Sequence, residues 1–138
     1  MTAKESLYAI VSPIFSGKFY QSIHPDADGA VTEDYAVYSQ VGGAINNHLQ
    51  GQSSLRRPRF QISVFSLDGD RRDELVGFVE AAMSLANDAA NAAIDLAQDP
   101  YNTVGALLNQ QVGMAIDGYE HDTKRHYAHL DFYCWEQV

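Results

Sequence analysis

The stretch Arg59-Phe-Gln-Ile-Ser-Val-Phe-Ser66 decides the fold, together with the helix pattern that follows it. Its apolar residues Phe60, Ile62 and Val64 alternate with polar residues, which predicts a half-buried strand. Asp68 then offers an N-cap for a long amphipathic helix. The apolar stripe of that helix comprises Leu75, Phe78, Val79, Ala82, Leu85 and Ala86. The pattern continues through the alanine-rich residues 87–98 until Asp99-Pro100 ends it. We therefore expect this helix to cover one face of the sheet.

Further elements lie on both sides of this unit. Residues 4–14 have apolar side chains at helical spacing, and residues 18–23 and 34–42 are strand-like on either side of a turn-rich segment. Near the C terminus, residues 111–119 and 125–135 alternate in polarity and indicate a hairpin. The element order has no βαβ rhythm. It predicts an α+β fold, a mostly antiparallel sheet with one main helix packed on one face and a short N-terminal helix.

Length and composition limit the possible classes of protein. The 138 residues suit a single domain, 1–138, and 46% hydrophobic with 20% charged residues is a globular composition. No apolar run approaches the roughly 20 residues of a membrane span, and the first residues do not resemble a signal peptide. We therefore expect a cytoplasmic protein without a membrane partner. The net charge of −9 opposes binding to nucleic-acid phosphates. Cys134 is the single cysteine, so an intramolecular disulfide is impossible.

The histidines near the C terminus are the strongest candidates for metal or catalytic chemistry. His121, His126 and His129, with Asp122 and Asp131, are residue types that bind zinc. On an extended strand, however, His126 and His129 are three residues apart and point to opposite faces. We therefore expect no metal site, no cofactor and no catalytic constellation, and hence a protein that is not an enzyme.

A polar segment, Gly43–Ser54, separates the two central strands. It is rich in Asn, Gln and Gly, which predicts a loop or the tip of a long hairpin. Its amides can bond to the exposed backbone of a partner without the desolvation cost of charges. The residues assigned to docking on a tail tube or a neighbouring subunit are Asn46, Asn47, His48, Gln50 and Gln52. A tip without any partner is the alternative.

Three arginines form the one dense basic cluster of this acidic chain. Arg56, Arg57 and Arg59 directly precede the best strand pattern. Solvated charges at the start of a strand are one interpretation, and salt bridges to an acidic neighbouring subunit are the sharper one. A nucleic-acid site ranks third, because the cluster lacks a wider basic face.

The last strand has two contrasting faces. One is apolar and comprises Ala128, Leu130, Phe132 and Cys134, whereas the other is both aromatic and polar. Aromatic anchors among polar groups are typical of protein interfaces. The interface candidates on this second face are Tyr127, His129, Tyr133 and Trp135, beside Asp131. The alternative is that the short N-terminal helix covers the face.

The assembled pattern resembles the bacteriophage tail completion, or tail terminator, family over most of the chain. In that family a strand of the form arginine, aromatic, glutamine, aliphatic leads into the main helix. The chain then closes with a hairpin whose last strand carries aspartate, phenylalanine and tryptophan. The matching segments here are the N-terminal helix, Phe19-Tyr20, Tyr35-Ala-Val-Tyr38, Leu55-Arg-Arg-Pro-Arg-Phe-Gln-Ile-Ser-Val-Phe65, Asp117-Gly-Tyr-Glu-His-Asp-Thr123 and His126-Tyr-Ala-His-Leu-Asp-Phe-Tyr-Cys-Trp135.

The resemblance implies a structural protein of the virion tail or neck, assembled in the cytoplasm of the host bacterium. It would form a homo-oligomer, a hexameric ring, that caps the tail tube and joins it to the head-tail connector protein. DNA would pass through the ring without specific binding. Two rivals stay open on the sequence alone. One is a small α+β ligand-binding domain or enzyme with a pocket lined by histidine and aromatic residues, and the other is a different head-tail joining or tail-assembly component.

Overall fold

The computed structural model describes residues 2–22, 34–48, 51–96 and 105–137, with the backbone alone for 43–48, 51–55 and 137. Within these ranges, two α-helices and seven strands follow one another. They are α1 (Ala3–Val11), β1 (Phe19–Gln21), β2 (Tyr35–His48), β3 (Gly51–Ser66), α2 (Gly69–Asp95), β4 (Asn109–Gln111), β5 (Ile116–Glu120), β6 (Arg125–Cys134) and β7 (Glu136–Gln137). A 3₁₀ turn, Ser12–Phe15, follows α1 and begins where Pro13 ends the regular helix.

All seven strands belong to one sheet, with the order β1-β2-β3-β6-β4. Strand β5 also pairs with β6, and β7 continues along β3 beyond the end of β6. Every pairing is antiparallel except that of β1 with β2. The prediction of an α+β fold with a mostly antiparallel sheet is therefore confirmed.

Both helices pack on the same face of the sheet. The predicted inward residues of β3, Phe60, Ile62 and Val64, are buried against α2 in one core. The apolar face of β6, from Ala128 to Cys134, is buried on the same side. Leu7 and Val11 of α1 join this core, and the backbone N–H of Ala3 donates to the Glu136 carboxylate at 2.8 Å. The N-terminal helix therefore lies on the side of the sheet opposite the aromatic and polar face. The alternative interpretation, in which this helix covers that face, is wrong.

The buried side of α2 is narrower than predicted. It consists of Leu75, Val79, Met83, Ala86, Ala90 and Ala93. Phe78 and Leu85, which the sequence pattern assigned to the core, are 46% and 69% exposed. They lie about a quarter of a turn around the helix from the line that contacts the sheet, so the sheet cannot reach them. The assignment of these two residues to the core was wrong.

The predicted loop Gly43–Ser54 is largely strand. Strand β2 extends to His48 and β3 begins at Gly51, with Asn47 opposite Gln52 and His48 opposite Gly51. Apart from two register shifts, after Gln40 and after Ile45, each strand pairs with the backbone of the other, so the extension does not need the apolar alternation on which the prediction relied. The interpretation as the end of a long hairpin holds, and the interpretation as a loop is wrong.

The predicted strand over residues 111–119 is interrupted. It divides into β4 and β5, which pair with the same edge of β6 and are separated at Gly113, where φ is +73°. Met114 lies in the interruption and is 90% exposed, so this apolar residue of the alternating pattern does not contribute to the core. The hairpin of β5 and β6, which turns through residues 121–124, is as predicted.

Helix α2 ends at Asp95, short of the predicted limit at residue 98. Asn109 ties the returning chain to this helix, because its backbone N–H donates to Asn87 Oδ1 at 3.0 Å and its side chain donates to the Met83 carbonyl at 2.9 Å. The turn predicted at 24–29 lies outside the described residues, as do residues 97–104. Within the described ranges, neither helix is long and apolar enough to cross a bilayer.

Candidate protein interface

The candidate site is the sheet face opposite the two helices. We call it the open face and define it by Tyr127, His129, Asp131, Tyr133 and Trp135, all of which are half-buried. The ladder between β3 and β6 places Phe65, Ser63, Gln61 and Arg59 beside the first four of these residues. At the Phe65 end, the rings of Tyr35 and Phe65 stack with 4.8 Å between their centres and are 0% and 4% exposed. The more exposed part of the face extends from His129 towards Trp135.

Arg57 and two aromatic rings form the centre of the open part. The Arg57 guanidinium lies 4.3 Å from the centre of the Tyr133 ring and 5.8 Å from that of Trp135. Such cation–π contacts stabilise this arrangement by about 0.5–1 kcal/mol each at exposed sites. The Nε of Arg57 is buried and has no hydrogen-bond partner in the described part of the chain. The result is an amphipathic surface of the kind that anchors protein interfaces.

Arg59 is already paired within the chain. Its guanidinium donates to the Asp131 carboxylate, and this bond, with the attraction of the negative charge, raises the pKa of Arg59. Arg59 Nε and Asp131 Oδ1 nevertheless have no partner among the described residues. Of the three arginines predicted to reach an acidic neighbour, Arg56 and Arg57 form no salt bridge in the described ranges. Those two remain the candidates for an electrostatic contact between subunits.

A cleft of about 440 Å³ opens beside His129. Its walls are Val37, Ser63, Phe65, Tyr119, Glu120, Tyr127 and His129. His129 Nδ1 lies 2.7 Å from the Ser63 hydroxyl. Burial lowers the pKa of His129, against the opposing effect of the charges of Asp131 and Glu120. The imidazole is therefore kept neutral near pH 7.

The pairing of Ser63 with His129 has the elements of a nucleophile and its base. Ser63 lies in the middle of β3, however, and β3 is paired on both sides, with β2 and with β6. The ladder engages the surrounding backbone N–H groups, which in a hydrolase would stabilise an oxyanion. These N–H groups are therefore engaged in the sheet and do not form an oxyanion site beside Ser63.

The other histidines do not converge on His129. His126 lies on the helix side, where its ring would contact a Cβ at Gly69, and His121 packs edge-on against Tyr119 with 5.1 Å between ring centres. Strand alternation thus separates His126 from His129 as predicted. Among the described side chains, no group of three or more His, Cys, Asp or Glu residues is placed to hold a metal ion.

The residues assigned to docking lie at the outer end of the β2–β3 hairpin. Asn46, Asn47, His48 and Gln52 are in its paired strands, and Gln50 is outside the described residues. Beyond Leu55, where β7 ends its pairing, the described backbone shows β2 and β3 paired with each other alone. The hairpin is therefore a two-stranded arm, and such a ribbon is marginally stable until a further surface supports it.

Sequence reasoning missed the partners of these residues. It did not find the contact of Arg57 with Tyr133 and Trp135, or the cleft formed by Ser63, Phe65 and Glu120 with His129. The signal was present, because β3 and β6 both alternate and their polar faces must coincide if the two strands pair. The register that joins them could not be read from either strand alone.

Comparison of the chain with known proteins leaves its family undetermined. No protein-family model matches the sequence, and no curated protein matches it.

Proposed function

We propose that the protein is a bacteriophage tail terminator, a structural protein that forms a hexameric ring at the head-proximal end of a long tail. The ring caps the tail tube and joins it to the head-tail connector. The observation that carries the proposal is the open face, a half-buried aromatic and polar surface on a sheet whose other face is covered by both helices of the chain.

Two physical properties of the open face support a role in subunit contact. Tyr133 and Trp135 already contact Arg57 within the subunit, so less side-chain entropy is lost when a partner covers these two rings. The buried Nε of Arg57 and Oδ1 of Asp131 also lack partners among the described residues, and a neighbouring subunit can supply them. Tyr127, His129, Tyr133 and Trp135 are the aromatic contacts that we assign to the interface between subunits.

The hairpin arm supports a role in docking. Its outer backbone pairs only within the hairpin over the described range, and its sequence from Asn46 to Gln52 is uncharged apart from the titratable His48. An arm of this kind adds backbone hydrogen bonds to an exposed strand of a tail tube or of a neighbouring ring subunit. The net charge of −9 also suits a channel through which DNA slides without adhering. The proposal includes no catalytic residue, cofactor or metal, and it places the protein in the virion.

Two measurements test the proposal. The mass of the purified protein and its negative-stain images should show a ring with a central channel, or a monomer that becomes one on tail tubes. In a polymerisation assay with tail tube protein, its addition should stop tube growth at a defined length. Tubes that keep growing with the protein present, together with a monomer that never forms rings, would refute the proposal.

The cleft beside His129 favours a second candidate function, a small ligand-binding domain or an enzyme. A neutral imidazole, a hydroxyl and aromatic walls are suited to a small polar molecule. Saturable binding of a metabolite by a stable monomer, lost in His129→Ala, would favour this candidate. A different head-tail joining component shares the same fold evidence, and the identity of the captured partner separates it from a terminator.

A further inference from the structure

Helix α2 carries an exposed apolar line on its outer side. Phe78, Leu85 and Leu96 are 46%, 69% and 71% exposed. Phe78 and Leu85 are seven residues apart, about two turns, so they lie above one another, and Leu96 follows directly after the last residue of the helix. The smaller residues Ala82, Ala89 and Ala92 fall on the same line. We call this line the α2 stripe. An apolar line of this length on a charged protein is typical of a contact surface.

The α2 stripe lies in a strongly acidic surrounding. From Asp73 to Leu96 the chain contains no lysine or arginine, and Asp88 and Asp95 are exposed beside the stripe. Neither of these two carboxylates forms a salt bridge in the described part of the chain. The C-terminal end of the helix dipole adds to the negative potential. This surface therefore attracts a partner that combines aromatic rings with cations.

The same chain presents such a partner at the open end of its sheet. Arg57 has no salt bridge among the described residues and lies against Tyr133 and Trp135. The arginines of α2 are already engaged. Arg71 pairs with Asp34 at 3.1 Å and with Glu74 at 2.5 Å, and Arg72 pairs with Asp117 at 3.1 Å.

We propose that the α2 stripe of one copy docks on the open face of the next copy. Arg57 of one subunit faces Asp88 and Asp95 of the other, and Leu85 packs against Tyr133 and Trp135. The inference rests on the proposed ring and adds the acceptor surface. Because the two surfaces differ and lie on opposite layers of the fold, the contact is head-to-tail, and its repetition closes a ring when the rotation from one copy to the next is a whole fraction of a turn. The docked helix also covers the second face of the sheet.

A charge-exchange experiment tests this pairing directly. Arg57→Glu and Asp88→Arg each place like charges across the contact, so each variant alone should associate at least roughly tenfold more weakly than the wild type. In an equimolar mixture, the open face of the Arg57→Glu variant can bind the helix of the Asp88→Arg variant with opposite charges. The unaltered face of the second variant can bind the unaltered helix of the first. The mixture, and the double variant within one chain, should regain rings, as measured by sedimentation and negative-stain microscopy.

Leu85→Asp tests the apolar part of the contact, with Met114→Asp as its control. Both side chains are exposed, but Met114 lies between β4 and β5, away from the α2 stripe. Leu85→Asp should abolish association while its circular dichroism stays that of the wild type, and Met114→Asp should leave association unchanged.

Three outcomes separate this inference from the proposed function. Rings that persist in Leu85→Asp, or variants whose mixture regains nothing, would overturn the pairing and leave the ring itself standing. A wild-type protein that stays monomeric at every concentration and on tail tubes would overturn both. Recovery in the mixture, without capping of tail tubes by the wild type, would support the pairing and refute the terminator function.

Discussion

Replacing Tyr133 by alanine should separate the stability of the subunit from its ability to associate. In the subunit, the variant loses about half of the burial of one aromatic side chain, about 1 kcal/mol, and a cation–π contact with Arg57 of about 0.5–1 kcal/mol. The free energy of unfolding should therefore fall by about 2 kcal/mol. At the interface, loss of a central aromatic anchor costs about 2 kcal/mol or more, which is roughly thirtyfold in Kd.

Phe132, the residue before Tyr133 on β6, should show the opposite behaviour. Phe132 is 2% exposed in the helix-side core, so Phe132→Ala should cost about 3–5 kcal/mol of stability and leave the association of folded subunits unchanged. Tyr8→Ala, which removes an exposed tyrosine from α1, is the control for both measurements. Urea unfolding at a concentration where the protein is monomeric gives the stability, and sedimentation gives Kd. Equal Kd values for Tyr133→Ala and the wild type would refute the reasoning.

Three further predictions concern the hairpin arm, His129 and Cys134. Replacing residues 46–55 by Asn-Gly leaves the paired residues Ile45 and Arg56 on either side of a two-residue turn. The fold should survive, and binding to tail tubes should be lost. Retained binding in a co-sedimentation assay would contradict the docking role. Burial lowers the pKa of His129 below 6.5, so on acidification the unfolded chain takes up the proton first. Stability should therefore fall as the pH drops from about 7 to about 5, and His129→Gln should reduce that slope in urea titrations, whereas an unchanged slope would contradict it. Burial raises the pKa of Cys134 to about 12, so a thiol reagent at about pH 8 should react only as fast as the protein unfolds, and rapid labelling of the native protein would contradict the assigned packing.

The elements that local patterning determines were predictable. The alternation in β3 and β6 identified which side chains enter the core, because a period of two leaves each strand only one way to bury its apolar set. Asp68 marked the start of α2 for an equally local reason, since its side chain accepts from the backbone N–H of Asp70 at 3.0 Å.

The errors arose where tertiary contacts decide the structure. The helix pattern could not show that the sheet reaches only the line from Leu75 to Ala93, which leaves Phe78 and Leu85 outside. The polar hairpin arm has no apolar period from which its strands could be predicted, and its register shifts twice, after Gln40 and after Ile45. At the candidate site, each aromatic residue of the open face was assigned correctly to that face, but the contacts of Tyr133 and Trp135 with Arg57 depend on the pairing of β3 with β6.

The fluorescence of Trp135 offers the most direct test of the open face as the interface between subunits. Trp135 is the single tryptophan of the chain and lies on that face, where it is half-buried. Its emission and its quenching by acrylamide should be measured across the range of protein concentration in which the mass rises from subunit to ring. As the mass rises, the emission of Trp135 should shift to shorter wavelength and its quenching by acrylamide should weaken over the same range of concentration. A ring that forms while the emission and quenching of Trp135 stay those of the subunit would contradict this prediction.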